Sequence, residues 1–246
     1  MFFSNNFIMN KLNVENFKKQ FMSQEIFNVN DFLQYYETKE PDIPKSTVNW
    51  RIHNLVQKGV IHRVGRGLYK FGETKTFTPE LTENLKKLGK IIQSDFPGTN
   101  FCVWELSVIN RLSHHLINYN IYFAEIERDV LKSVYYDLKE HYQNTILVQN
   151  LYEDLSEFNN YIILKPLVTD SPLKGIENIP VPSLEKLLVD LCADKEFSPF
   201  CGSEIYSIYQ NAFNDYSINC NKMFRYARRK GNEQKIIEII ETINRQ

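Results

Sequence analysis

Between Ile43 and Gly72 the chain carries Lys45, Arg51, Lys58, Arg63, Arg66 and Lys70 and not one Asp or Glu. Such a run of positive charge stands out in a protein whose formal net charge is -1. Lysines and arginines concentrated in this way neutralise phosphates, so the chemistry expected is electrostatic docking on a polyanion rather than bond making. The residues interleaved with them sharpen the expectation toward duplex DNA. Asn49 and Arg51 can hydrogen-bond base edges in a major groove, Lys45, Ser46 and Thr47 can hold phosphates, and Trp50 can press on a sugar or a thymine methyl. His53 flanks the same surface, and Arg63 and Arg66 would supply a second contact.

Other residues invite a catalytic reading that their context weakens. Gly202-Ser203 with Asp215 suggests a nucleotidyltransferase loop, but that chemistry needs two carboxylates one residue apart on a strand, and Asp215 is followed at that spacing by Ser217. A restriction-type nuclease needs Glu-x-Lys on a strand; Glu37, Glu73 and Glu233 begin such triplets in helical or connecting segments, and Glu125 and Glu127 have no companion lysine in sequence. His114-His115 with Cys102 forms no established nucleophile motif. The four cysteines (Cys102, Cys192, Cys201, Cys220) show no CxxC pair, which fits reduced, mostly buried thiols, and no glycine-rich phosphate loop occurs. The expectation is a non-enzyme with no catalytic residue, cofactor or metal. Lys186 and Asp190, at i and i+4, are expected to form a surface ion pair. Lys222, Arg225, Arg228 and Arg229 offer a second basic face for a partner.

The basic segment needs elements to aim it. Leu12, Phe17 and Phe21 predict a helix near 11–23, and a second runs from an Asn28 cap through Tyr36. A third, with Ser46 as its cap, ends at Gly59, a residue suited to a left-handed terminus. Val48, Ile52, Leu55 and Val56 form its apolar stripe; at 100° per residue Trp50 and Arg51 lie about 200° and 300° from Val48. Ile61–Val64 and Leu68–Phe71 flank Gly65-Arg66-Gly67 as a hairpin with Arg66 at its tip. Helix, helix, helix and hairpin predict an N-terminal winged helix-turn-helix over 1–75, where eleven Lys/Arg face seven Asp/Glu.

Beyond it, 76–246 alternates predicted helices and strands. A helix starts at Thr78-Pro79, strands cover 101–104, 121–124, 145–149 and 161–165, a helix covers 129–142, and helices fill 180–246. The fold class expected is α+β (mixed α/β): a winged helix-turn-helix, then a domain with a small mixed sheet and a helical C-terminal region. A hydrophobic content of 43% suits packed cores. The opening MFFSNNFIMN lacks a basic flank and a signal core, and no run reaches the ~18–20 apolar residues of a membrane span, so a cytoplasmic protein with no membrane partner is expected.

The stretch VNWRIHNL (48–55) with IHRVGRGLY (61–69) resembles the winged-helix region of AbiEi-like antitoxins, and PVPSLEKLLVDL (180–191) is similar to a helix of their C-terminal domain. The resemblance implies an autorepressing antitoxin of an abortive-infection toxin–antitoxin operon. Its N-terminal domain would bind operator DNA, and its C-terminal domain would counter a nucleotidyltransferase-like toxin. Two other readings stay open: a stand-alone winged-helix transcription factor whose C-terminal domain senses a ligand, and a nucleic-acid-processing enzyme.

Overall fold

The computed structural model describes residues 14–21, 24, 26–65, 67–72, 75–151 and 155–243. The protein is mixed α+β with small sheets and divides into two compact units, one made of Met1–Thr76 with Phe213–Ile218 and the other of Phe77–Ala212 with Asn219–Gln246.

In unit 1, α1 (Val14–Phe21) and α2 (Val29–Glu37) are joined by β1 (Phe27–Asn28). Asn28 starts α2 through a reciprocal cap: its Oδ1 accepts from the amides of Asn30 and Asp31, and Asp31 Oδ2 accepts from the Asn28 amide at 2.6 Å. Helix α3 spans Lys45–Gln57. Its cap position is Pro44, with no side-chain cap, so Ser46 sits inside the first turn rather than before it. Gly59 leaves the helix at φ +67°, a conformation glycine adopts without a Cβ clash.

Strands β2 (Ile61–Gly65) and β3 (Leu68–Phe71) follow, and the three-stranded antiparallel sheet has the order β1-β3-β2. The register of the β2–β3 pairing shifts between Arg63 and Gly65. The core is aromatic: Phe17 stacks on Phe32 at 5.1 Å and meets Phe27 and Tyr35 edge-on, while Val48, Ile52 and Leu55 bring the apolar stripe of α3 onto it. The Phe213–Ile218 strip pairs with Lys75: the Lys75 amide donates to the Asp215 carbonyl, and the Ser217 amide donates to Lys75.

Unit 2 is built on α4 (Glu83–Asp95), β4 (Phe101–Glu105), β5 (Ile121–Ile126), α5 (Leu131–His141), β6 (Thr145–Leu147), β7 (Tyr161–Pro166), the hairpin β8 (Leu173–Ile176) and β9 (Ile179–Pro182), then α6 (Leu184–Ala193), α7 (Ser203–Asp215), α8 (Cys220–Arg229) and α9 (Glu233–Ile243). Helix α4 starts five residues after Thr78-Pro79, capped by Thr82, whose Oγ1 accepts from the Leu85 amide. The β8–β9 hairpin is new to the sequence reading, and a 3-10 turn, Leu106–Arg111, follows β4.

The main sheet has the order β4-β5-β7-β6, with β5, β7 and β6 parallel and β4 antiparallel to β5. Alternation along the strands sorts side chains onto two faces. Phe101, Val103, Ala124, Ile126, Ile162 and Leu164 join α4 and α5 in one core. Cys102, Trp104, Phe123, Glu125, Ile163 and Lys165 occupy the alternate positions and so the other face. There Trp104 stacks on Phe123 at 4.4 Å, and Phe197 packs against both rings.

Candidate functional sites

Unit 1 presents one face of α3. Lys45, Ser46, Asn49 and His53 are exposed, Thr47 is half-buried, and Trp50 is 48% exposed, a large indole held in solvent beside four polar neighbours. The buried Val48–Ile52–Leu55 stripe on the opposite side fixes that orientation.

Arg51 departs from the expectation that it faces a groove. It is 6% exposed, its Nη2 donates to both carboxylate oxygens of Glu40 at 2.8 Å, and its guanidinium lies 4.6 Å from the centre of the Tyr36 ring. Glu40 stands in the turn between α2 and α3, so Arg51 ties that turn to the helix and is a structural residue here. Burial, only partly offset by the Arg51 charge, pushes the Tyr36 hydroxyl up.

Arg63 is half-buried on β2, over the Tyr69 ring at 5.8 Å, and its Nε is buried without a hydrogen-bond partner. Arg66 lies outside the described residues. His62, beside Arg63, is buried with Nδ1 3.2 Å from the Gly72 carbonyl oxygen and Nε2 unpartnered. Burial lowers its pKa below the usual imidazole value, opposed by the Gly72 contact and helped by the Lys70 charge.

Unit 2 contains a site that sequence reading placed at the surface. Lys186 and Asp190 are fully enclosed, because α6 lies over the Glu125–Lys165 face of the sheet and is buried along nearly its whole length. Lys186 Nζ donates to Glu125 Oε1 and to Asp190 Oδ2, each at 2.5 Å. Trp104 Nε1 also donates to Glu125 Oε1, at 2.9 Å. Asp190 Oδ1 accepts from Tyr226 at 2.9 Å and from Lys230 at 2.7 Å. Lys230 continues to Asp194, and Lys165 donates to Asp194 Oδ2 at 2.5 Å and to Glu196.

Three lysines and four carboxylates thus form one chain of charge. Burial alone would neutralise Lys165 and Lys186, but the surrounding carboxylates outweigh it and hold both ammonium pKa values above the ordinary lysine range. Burial likewise opposes ionisation of Asp190, yet Lys186, Lys230 and Lys165 hold its carboxyl well below the usual range. Glu125 and Lys165 sit opposite one another on the parallel pair β5–β7, so the lysine missing near Glu125 in sequence is supplied by the neighbouring strand.

This network forms one wall of a cavity of about 670 Å³, lined by Arg128, Lys165, Asp194, Lys195, Glu196 and Lys230 among others. Arg128 and Lys195 are exposed and have no partner among the described residues.

The remaining expected residues separate. Lys222 and Arg225 are exposed on α8; Arg228 meets Glu233 at 3.5 Å, and Arg229 binds Asp170 and Thr169. His114 and His115 are exposed near Glu204, whereas Cys102 is buried and its thiol is pushed well above the ordinary value by that burial, which disfavours a thiolate. Asp95, Asp137 and His141 bring ligand atoms within 4.8 Å of one another at the ends of α4 and α5 and could hold a metal ion. No helix among the described residues is long and apolar enough to cross a membrane.

A profile described as a family of unknown function, DUF6577, matches residues 47–246, from the first turn of α3 through all of unit 2. No curated protein matches the chain.

Proposed function

The chain belongs to DUF6577, a family described only as of unknown function, and from its own residues we propose that it binds double-stranded DNA through unit 1. In this reading unit 1 is a winged helix: α2 and α3 are the helix-turn-helix, α3 enters the major groove and the β2–β3 hairpin is the wing. The observation that carries it is the solvent-facing side of α3. Asn49, Trp50 and His53 project there beside Lys45 and Ser46, with no acidic residue from Ile43 to Gly72. An indole held in water on the face opposite the core has little structural purpose, whereas a DNA groove offers it sugar and methyl surface.

Lys45, Ser46, Thr47, Asn49, Trp50 and His53 make the groove and phosphate contacts, and Arg63 and Arg66 serve the wing. The resemblance of 48–55, 61–69 and 180–191 to AbiEi-like antitoxins extends the reading to a cytoplasmic autorepressor of a toxin–antitoxin operon. Lys222 and Arg225, exposed on α8 and unpaired among the described residues, then serve an acidic partner such as the toxin.

Fluorescence anisotropy with the DNA upstream of its own gene, titrated over a range of salt, tests the reading. With Arg51 withdrawn, log affinity is expected to fall with log salt in proportion to the number of phosphates that the remaining cations neutralise. Asn49→Ala is expected to relax sequence preference at one base position by about 1–3 kcal/mol. Absence of binding at low salt sinks the proposal. Growth rescue by co-expression with the product of the neighbouring gene tests the antitoxin role separately.

A further inference from the structure

The cavity of unit 2 occupies a position that the sheet topology singles out. Arg128 lies just past β5, Val148 and Gln149 follow β6, and Lys165 and Pro166 are the last two residues of β7, so all three parallel strands direct their carboxyl ends at it. In open α/β sheets that edge is where ligands bind, because the loops leaving the strands diverge there. At about 670 Å³ the cavity is also the size of a small-molecule site.

Its charge identifies the ligand class. Asp194 and Glu196 are already engaged: Lys165 donates to both, and Lys230 donates to Asp194. An ammonium carries three N–H donors. Lys165 uses two of them on carboxylates, and Lys230 uses two, on Asp190 and Asp194. Both lysines line the cavity, and each has a third N–H beyond these two, with Lys165 Nζ also 5.1 Å from the centre of the Phe197 ring and Lys230 Nζ 5.7 Å from that of Tyr226. At the rim Arg128 and Lys195 are exposed cations without partners among the described residues. Two ammonium groups in the wall and two exposed cations at the rim, unpartnered among the described residues, match a group with several acceptor oxygens and more than one negative charge.

We propose that this cavity binds a phosphorylated small molecule of nucleotide size, its phosphate held between the Lys165–Lys230 floor and the Arg128–Lys195 rim. The carboxylates hold the floor lysines in place, with the buried Glu125–Lys186–Asp190 chain behind them. Such a site would make unit 2 a sensor of phosphorylated metabolites. It stands independently of DNA binding by unit 1.

Isothermal titration calorimetry on the full chain tests it, with pyrophosphate, the four ribonucleoside monophosphates and adenosine as probes. A phosphorylated probe is expected to bind and adenosine is not, and the double variant Arg128→Ala/Lys195→Ala is expected to weaken binding roughly tenfold or more. Both rim residues are exposed, so the variant should melt at the parent temperature. Lys165→Met, which could disturb folding, serves only as a second check. No binding of any phosphorylated probe at millimolar concentration overturns the proposal. So does equal binding of adenosine and its monophosphate, or an affinity unchanged in the rim variant.

Discussion

Arg51 illustrates how closely a residue's role depends on a few tens of degrees around a helix. On the wheel of α3 it lies about 300° from Val48, only some 40° from Leu55 and thus on the flank of the apolar stripe rather than opposite it. The guanidinium uses that position to reach Glu40 and cover the Tyr36 ring. Trp50, near the middle of the outward face, is exposed as its angle implies. The sequence pattern therefore carried the distinction between the two. It did not carry the partner, since Glu40 sits eleven residues upstream in a turn that no periodicity describes. Removing Arg51 takes away the one Nη2 that donates to both Glu40 oxygens, though Glu40 is half in water, which screens the loss. Arg51→Ala is expected to destabilise unit 1 by about 1–3 kcal/mol in urea unfolding, and Arg51→Lys to recover little of it. Selection of preferred sites from random DNA should return the parent sequence for the folded variant. A changed base preference would put Arg51 back in the groove.

At the scale of elements, α6 is the unusual one. A helix buried nearly all round is ordinarily apolar all round, yet Glu185, Lys186 and Asp190 are enclosed with its leucines. Glu185 accepts from Ser183 Oγ two residues before it and from the Asn219 amide at the start of α8. Lys186 and Asp190 depend on β5 and α8 instead. Lys186→Met leaves Glu125 and Asp190 without their shared cation, so unit 2 is expected to lose about 3–5 kcal/mol, and adding Glu125→Gln should restore part of it. A Lys186→Met protein with the parent's urea midpoint would mean the network contributes nothing to folding.

The charge burial left a trace in the sequence. Glu125 and Lys165 each sit inside otherwise apolar strands, IYFAEI and YIILKP, and Lys186 and Asp190 interrupt LEKLLVDLC. The strands of the main sheet and most helices were legible from alternation and 3.6 periodicity, whereas β1 and the β8–β9 hairpin were not. Their order in the sheet was not, because the β5–β7 pairing that brings Glu125 to Lys165 joins segments some forty residues apart.

Across the whole molecule the two units differ in how they hold titratable groups, and this gives them different acid limits. In unit 1, His62 is buried neutral with its folded pKa below the unfolded value of about 6.5. Between those two values the unfolded chain binds more protons, so the stability of unit 1 is complete above pH ~6.5 and declines as pH falls through that window. In unit 2, the folded pKa of Asp190 is depressed below its ordinary 3.8. Its contribution is therefore present above pH ~4 and is lost only as pH falls further. The raised pKa values of Lys165 and Lys186 place the corresponding loss on the alkaline side, beyond the usual lysine range of ~10.4. From pH 7 to 5, hydrogen–deuterium exchange corrected for the intrinsic pH effect should lose protection in α3 and the β2–β3 hairpin while α6 and β5 stay protected. His62→Gln should flatten the response of unit 1. If α6 loosened in the same window, or the Gln variant kept the full slope, the acid sensitivity would belong to some other group. On the proposal that unit 1 binds DNA, mild acidification is expected to weaken that binding while unit 2 stays folded, and DNA affinity measured at pH 5.5 and 7.5, for parent and His62→Gln, would follow the same order.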